Sequence, residues 1–315
     1  MTQPIAALSI GSDDLHLLVG TSDGKEQFSA IADHSMLVQL IGAMQDGTLP
    51  RPVLDQTWQD LGTLVAQARA AGAQTVIALA TEVMRQATNG PAFIEQVRAS
   101  LGIEAEIIAG KEEAALDYSW ATFPPEPAFP VLAVDSGGGS TQVILGETPA
   151  QHDGRPTFAT SLPAGGVNMS RRFFQHDPPA AAEMEALAAH VDQLLQPLPA
   201  TPRPQSAVFM GGSATTLVRM ATGGSTTMLL TAGDLEALLT RLQQQSAATV
   251  AAIEHLPLQR AKILPAGAVI LQRLLTRYRL HVARVKPHNI RAGLIVRYAR
   301  DGAEWRARLP LAPNA

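Results

Sequence analysis

The chain has 315 residues, 46% of them hydrophobic, which suffices for about two domains with buried cores and excludes disorder as its main state. Twenty-four basic against 28 acidic side chains leave a net charge of −4, so a protein that coats nucleic acid is excluded and any polyanion site must be local. The absence of cysteine removes disulfides, Cys-ligated zinc and thiol nucleophiles, leaving water, Ser, Thr and carboxylates, and fits a reducing cytosol.

Met1-Thr2-Gln3-Pro4 carries no basic leader, and no apolar run reaches the 18 or so residues that cross a bilayer. The expectation is a soluble cytoplasmic protein with no membrane partner. Strands are predicted at Ala6 to Ile10 and Leu15 to Gly20, helices over 35–46 and 54–72, and a strand at Thr75 to Ala80. A helix from Pro91 to Ser100, a short strand from Ala105 to Ile108 and a helix from Glu112 to Ala121 close the first domain. The run Phe123-Pro124-Pro125-Glu126-Pro127-Ala128-Phe129-Pro130 cannot be helical and marks the domain boundary.

Beyond it the pattern repeats at an offset of about 126 residues: Ala7-Leu8-Ser9-Ile10-Gly11-Ser12 and its strand are echoed by Ala133 to Ser140 and the strand Gln142 to Gly146. A third small-residue turn, Gly211 to Thr216, follows the strand Ala207 to Met210 and precedes a helix-like Leu217 to Met220. Helices such as Ala180 to Leu195 follow Pro178. The reading is an α/β protein of two duplicated domains facing a cleft, over residues 1–123 and 124–295, with a C-terminal segment 296–315 packing back on the first.

Turns without Cβ atoms let backbone N–H groups converge on an anion, so Gly137, Gly138, Gly139, Ser140 and Thr141, with Gly211, Gly212 and Ser213, are candidate phosphate cradles; equally, such glycines serve ordinary turns. Neither matches a P-loop or a dinucleotide fingerprint. Asp135 ends an apolar strand, where a carboxylate needs a partner, and suits a hard cation such as Mg²⁺ or a turn cap. Glu112 and Glu113 open a helix, where they complement the macrodipole or, if one faces the cleft, orient a water. Arg85 after a strand end, with Asn89 four residues on, suits a phosphate or an ion pair with Glu82. The eight histidines show no metal-binding spacing and read as solvated or capping residues. Twelve of the 24 basic residues fall between Arg260 and Arg308, a candidate track for a long polyanion or a solvated helix surface.

Taken in order, Thr81 to Asn89, Gly110-Lys111-Glu112-Glu113-Ala114, Val134 to Thr141, Ser161 to Gly165, Gly211 to Leu217, Arg260 with Pro265 and Gly267, and Arg291-Ala292-Gly293-Leu294 resemble the exopolyphosphatase and guanosine pentaphosphate phosphohydrolase (Ppx/GppA) family. The resemblance spans nearly the whole chain and matches a short form without additional C-terminal domains. It implies two actin-like, ribonuclease H-like domains and hydrolysis of a terminal phosphoanhydride with Mg²⁺, or Mn²⁺ in its place. It further implies Glu113 as general base, Asp135 with Glu113 at the metal, Arg85, Asn89, Ser12, Arg260 and Arg291 toward phosphate, and the two glycine turns as cradles. Implied partners are inorganic polyphosphate or guanosine penta- or tetraphosphate, with homodimerisation expected only at the family level.

Several positions depart from the family pattern. Its first turn reads Asp, aliphatic, Gly, Ser or Thr, Asn, against Ser9-Ile10-Gly11-Ser12-Asp13; Gln142 and Ala292 stand where Glu is expected, Phe209 for Gly, and Asn168 for a basic residue. The losses weaken a cation site unless Asp13 or Asp14 reaches the cleft. Three readings therefore stand: an exopolyphosphatase, a guanosine pentaphosphate phosphohydrolase, and a non-catalytic binding protein for the same anions. A sugar or acetate kinase fits the run Thr81 to Ala114 less well.

Overall fold

The structure, a computed structural model, describes residues 2–313. The first half runs β1 (Ile5–Ile10), β2 (Asp14–Ser22), β3 (Phe28–Leu37), α1 (Leu40–Ala43), α2 (Arg51–Ala70), β4 (Thr75–Ala80), α3 (Glu82–Gln86), α4 (Gly90–Leu101), β5 (Glu104–Ile107) and α5 (Gly110–Ala121). Its sheet has the order β3-β2-β1-β4-β5, antiparallel across β1 to β3 and parallel from β1 to β5.

The second half runs β6 (Val131–Ser136), β7 (Thr141–Gly146), β8 (Pro156–Leu162), α6 (Gly166–Phe173), α7 (Ala181–Leu195), β9 (Ser206–Met210), α8 (Gly211–Thr222), β10 (Leu229–Thr231), α9 (Ala232–Gln244), α10 (Ala247–Glu254), α11 (Leu258–Tyr278), β11 (Val282–Val285) and α12 (Ile290–Asp301). Its sheet, β10-β11-β9-β6-β7-β8, repeats the first with an added antiparallel edge at β10. The two sheets are the duplicated α/β halves that the sequence repeat predicts, and each has the ribonuclease H-like topology of an actin-like fold.

Alternation along the central strands builds the layers. On β1, Ala6, Leu8 and Ile10 face the core under α2 and α4, while Ile5 and Ala7 face the opposite way. On β6, Leu132 and Val134 face the core under α7, α8 and α11, while Val131 and Ala133 share the core of Ile5 and Ala7. That shared middle layer holds α5 and α12. The expected closure of the first domain by the Glu112 helix needs correction: α5 packs on β6 to β9 of the second sheet, and α12 packs on β1 and β2 of the first. Each helix crosses over, and because α5 is enclosed on every side, every residue from Glu113 to Ala121 is buried. The expected boundary at 295/296 falls inside α12, one continuous helix.

Two further expectations fail. The helix over 35–46 is instead the end of edge strand β3, its pairing to β2 overriding local helical spacing, and only the single turn α1 remains. The helix placed after the third glycine turn begins within it, since Gly211 opens α8.

Candidate active site

Ser9 and Asp135 occupy equivalent places, 126 residues apart, at the C-terminal ends of β1 and β6 on the middle-layer face. The N-terminal turns of α5 and α12 point at them and deliver Glu113 and Arg291. Nδ2 of Asn289 donates to Asp135 Oδ2 at 2.9 Å, and Nη1 of Arg291 donates to Ser9 Oγ at 3.1 Å. All five line a cavity of about 1130 Å³ between the two sheets.

Glu113 and its neighbour do different work. Glu112 caps α5 through the backbone N–H of Ala109 at 2.8 Å and takes the Arg306 guanidinium at 2.6 Å. Glu113 turns inward, only 7% exposed, and accepts from Arg85 Nη1 at 3.2 Å. Burial pushes its carboxyl up to about 7, with Asp135 adding repulsion and Arg85 opposing. Burial likewise raises Asp135 to about 6, against the Asn289 hydrogen bond and the Arg291 charge. Glu113 is thus poised to hold or release a proton near neutrality, the property a general base needs.

The two hairpin turns repeat as backbone: Gly11 N–H donates to Asp14 O, and Gly137 N–H to Ser140 O, both at 3.0 Å. At the third turn Gly211 has a φ of +89°, and a Cβ there would stand 2.5 Å from Asp135 Oδ1, so glycine is required both by conformation and by the approach of that carboxylate. Of the predicted site residues, Ser12, Glu113, Asp135, Gly137, Gly138, Gly139, Ser140, Gly211, Gly212, Arg260 and Arg291 line the cavity.

Four do not line it. Arg85 directs its donors to Ile108 O (2.7 Å), Glu82 (2.6 Å) and Glu113, so it positions the carboxylate and is not part of the wall. The Asn89 amide pins Leu49 through N–H and C=O, 3.1 and 2.8 Å away. Thr141 donates to Ala164 O at 2.5 Å, and Ser213 is buried beside Gly267. The basic track also needs correction: only Arg260, Lys262 and Arg291 of that run reach the cavity. Most of the others serve the fold, as with Arg273 on Asp192, Arg277 on the carbonyls of Leu195 and Leu198, and Arg306 on Glu106 and Glu112.

The sequence reading missed several groups. Asp117, fully buried one turn below Glu113, has no side-chain hydrogen-bond partner; burial, then Asp135 and Glu113, raises it well above the carboxylate range, against the Arg291 charge and the backbone N–H of Ile290. Its i+4 spacing from Glu113 was the available signal. Asp13 and Asp14, the carboxylates the sequence offers in place of the lost ones, both line the cavity, as do the unforeseen His16, Asp33 and His288. His16 bonds Asp14 at 3.3 Å and His288 pairs with Asp33 at 3.3 Å, so these two histidines are cleft residues, contrary to the solvated or capping roles expected of them.

The donors suit a hard cation. Asp135 Oδ1 and Asn289 Oδ1 are buried oxygens without hydrogen-bond partners beside Glu113. Among the described residues no group of three or more His, Cys, Asp or Glu forms a self-sufficient cage. One or two carboxylates completed by water and substrate oxygens is the way Mg²⁺ is held.

Fold and site together define an actin-like protein with an acid-floored cleft between duplicated lobes. The pattern of the Ppx/GppA phosphatase family matches residues 21–301, and the chain belongs to that family. It is 24% identical over 311 residues to exopolyphosphatase 1 of Mycobacterium leprae, covering 93% of this chain and 88% of that protein. To exopolyphosphatase 1 of Mycobacterium tuberculosis strain H37Rv it is 25% identical over 312 residues, with 93% and 87% covered. The crystal structure of the Aquifex aeolicus family member superposes with a TM-score of 0.83 at 24% identity over 96% of this chain and 99% of that one. An exopolyphosphatase from Cytophaga hutchinsonii gives 0.83 at 22% identity, over 95% and 98%. Among the described residues no helix is long and apolar enough to cross a membrane.

Proposed function

We propose that the chain is an exopolyphosphatase: it hydrolyses the terminal phosphoanhydride of inorganic polyphosphate and releases orthophosphate. The observation that carries this reading is Glu113, buried in the cleft floor with its carboxyl pushed up to about 7 and held by Arg85. In the reaction Glu113 takes a proton from water as the water oxygen bonds to the terminal phosphorus. The bridging P–O bond on the far side breaks, and the electron pair leaves with the shortened chain. Asp135, with Glu113 beside it, would hold Mg²⁺ or Mn²⁺, which when bound neutralises phosphoryl charge. The glycine turns and Arg260 orient the anion, and Arg291 keeps positive charge next to Asp135.

The names of the mycobacterial relatives support polyphosphate as the substrate. Guanosine pentaphosphate would undergo the same chemistry, but among the described cavity-lining residues Phe174 is the one Phe, Tyr or Trp, so no aromatic pair offers to sandwich a guanine. A binding-only role is favoured by one observation: Ser9 and Gln142, both in the cleft, carry no charge, and the Gln142 amide is engaged by Ser140 and Ser161 at 3.1 and 3.2 Å. Phosphate release from long-chain polyphosphate and from guanosine pentaphosphate, each with Mg²⁺ and with Mn²⁺, decides among the three. Polyphosphate turnover that is lost in Glu113→Gln supports the proposal, and binding without release by the parent supports the sensor.

A further inference from the structure

Arg260 sits where its charge alone would not place it. The guanidinium lies over the N-terminus of α8: a Cβ on Gly212 would be 2.7 Å from its Nη1. A helix N-terminus carries positive partial charge and unsatisfied N–H groups, so a cation gains nothing there and an anion does. The neighbouring Asp135 Oδ1, buried, without a hydrogen-bond partner and aimed at Gly211, calls at the same spot for a cation such as would accompany a bound phosphate chain. What holds Arg260 in place comes from the opposite lobe. Nη2 donates to Asp14 Oδ2 at 3.2 Å across 246 residues of sequence, and both side chains are about a quarter exposed.

Asp14 closes the β1–β2 turn as the first residue of β2, at the place equivalent to Ser140 at the end of the β6–β7 turn. Burial works against its ionisation, but the His16 hydrogen bond and the charges of His16, Arg260 and Arg291 hold its carboxyl below the ordinary range, so it is an anion at neutral pH. It presents to Arg260 what a phosphoryl oxygen would present.

We propose that Asp14 is a specificity-determining residue that stands in for a phosphoryl group: it holds Arg260 across the lobes and is displaced when a phosphate chain fills the site. This rests on the reading of the cleft as a phosphate site. A chain of linked phosphates, anchored at several points, takes the guanidinium from Asp14. A single orthophosphate left after hydrolysis competes poorly with a carboxylate already tethered beside it, so Asp14 recaptures Arg260 and speeds product release.

The test is direct titration of inorganic phosphate, alongside product inhibition of polyphosphate hydrolysis by the same anion. Asp14→Asn is predicted to tighten orthophosphate binding and lower its inhibition constant by roughly five- to tenfold, the size of a partly screened ion pair. In an Arg260→Gln background the same substitution is predicted to change neither. Asp33→Asn removes an equal charge from the same cavity without touching Arg260, and its effect is predicted to stay under roughly twofold. Equal tightening by Asp33→Asn, or tightening by Asp14→Asn that survives without Arg260, would reduce Asp14 to part of a general field and overturn the proposal. Binding by the parent with no tightening in a folded Asp14→Asn overturns it as well. A parent that neither binds phosphate nor releases it from polyphosphate overturns the cleft reading itself, and the role of Asp14 with it.

Discussion

Glu113 and Asp117 lie one turn apart on α5, and their surroundings separate their roles. Glu113 reaches the cavity and is paired with Arg85; Asp117 is sealed beneath it with no side-chain partner. As a base Glu113 must be ionised, so the rate of hydrolysis is predicted to fall on the acid side as its carboxyl, raised by burial, takes up a proton. Arg85→Met removes the charge that favours the carboxylate, and the acidic limb of the pH–rate profile should move up by roughly one pH unit. A profile that keeps its position would show that Arg85 does not act through Glu113.

Asp117 yields a stability prediction. Its folded-state pKa lies above the unfolded one, so the folded protein holds the proton more tightly; the resulting stability is complete below pH 4 and is lost as pH rises through the folded value. Asp117→Asn, which removes the charge and keeps the shape, is predicted to stabilise the protein by about 1–3 kcal/mol at pH 8 and to give no gain at pH 4. Urea unfolding at the two pH values checks the sign.

Among the elements, the crossing of α5 and α12 fixes where the site can form. The two helices meet backbone to backbone: a Cβ on Gly293 would collide with the carbonyl of Leu116. Gly293→Ala must push the helices apart, and with them Glu113 and Arg291, so a loss of about 2–4 kcal/mol is predicted along with loss of activity. Gly102→Ala is the contrast. That residue is an αL C-cap, φ +62°, with nothing near its Cβ, so only about 1 kcal/mol and no activity should be lost. Thermal unfolding of both variants tests the difference.

This crossing was the least legible feature in the sequence. The strand–turn–strand repeat announced two like halves, and Asp135, Glu113 and the glycine turns were readable as chemistry from residue type and position. Local pattern carries no record of which sheet a helix packs on, so α5 was assigned to the wrong one. The same blindness hid Asn289 and His288, which become site residues only through pairing with the sequence-distant Asp135 and Asp33; His16 is paired locally, with Asp14 on the same strand, and only the fold brings that strand end to the cleft. Edge strand β3 was missed because its ladder to β2, a non-local pairing, decides its conformation.

For the whole molecule, the segments that join the two crossing helices to the second sheet, 122–130 after α5 and 286–289 before α12, are tied together by Lys286. Its Nζ donates to the carbonyls of Trp120 (2.8 Å) and Phe123 (2.6 Å) and lies 4.4 Å from the Trp120 ring centroid, while Trp120 Nε1 donates to Pro287 O at 2.8 Å. Lys286→Met leaves two buried carbonyls without their donor, and a loss of about 2 kcal/mol is predicted in denaturant unfolding. The arginine-rich C-terminal stretch, which in sequence looks like a polyanion track, also serves this scale: most of its charges clamp helices and carbonyls, and the cleft draws on few of them.

The central claim is that the acid-floored cleft hydrolyses a phosphoanhydride despite the uncharged Ser9 and Gln142. The most direct measurement is orthophosphate release from long-chain polyphosphate with Mg²⁺, by the parent and by Glu113→Gln. The account predicts metal-dependent release by the parent and a fall of roughly 10²-fold or more in the variant. Equal release by the two proteins, or none by a parent that still binds polyphosphate, would contradict it.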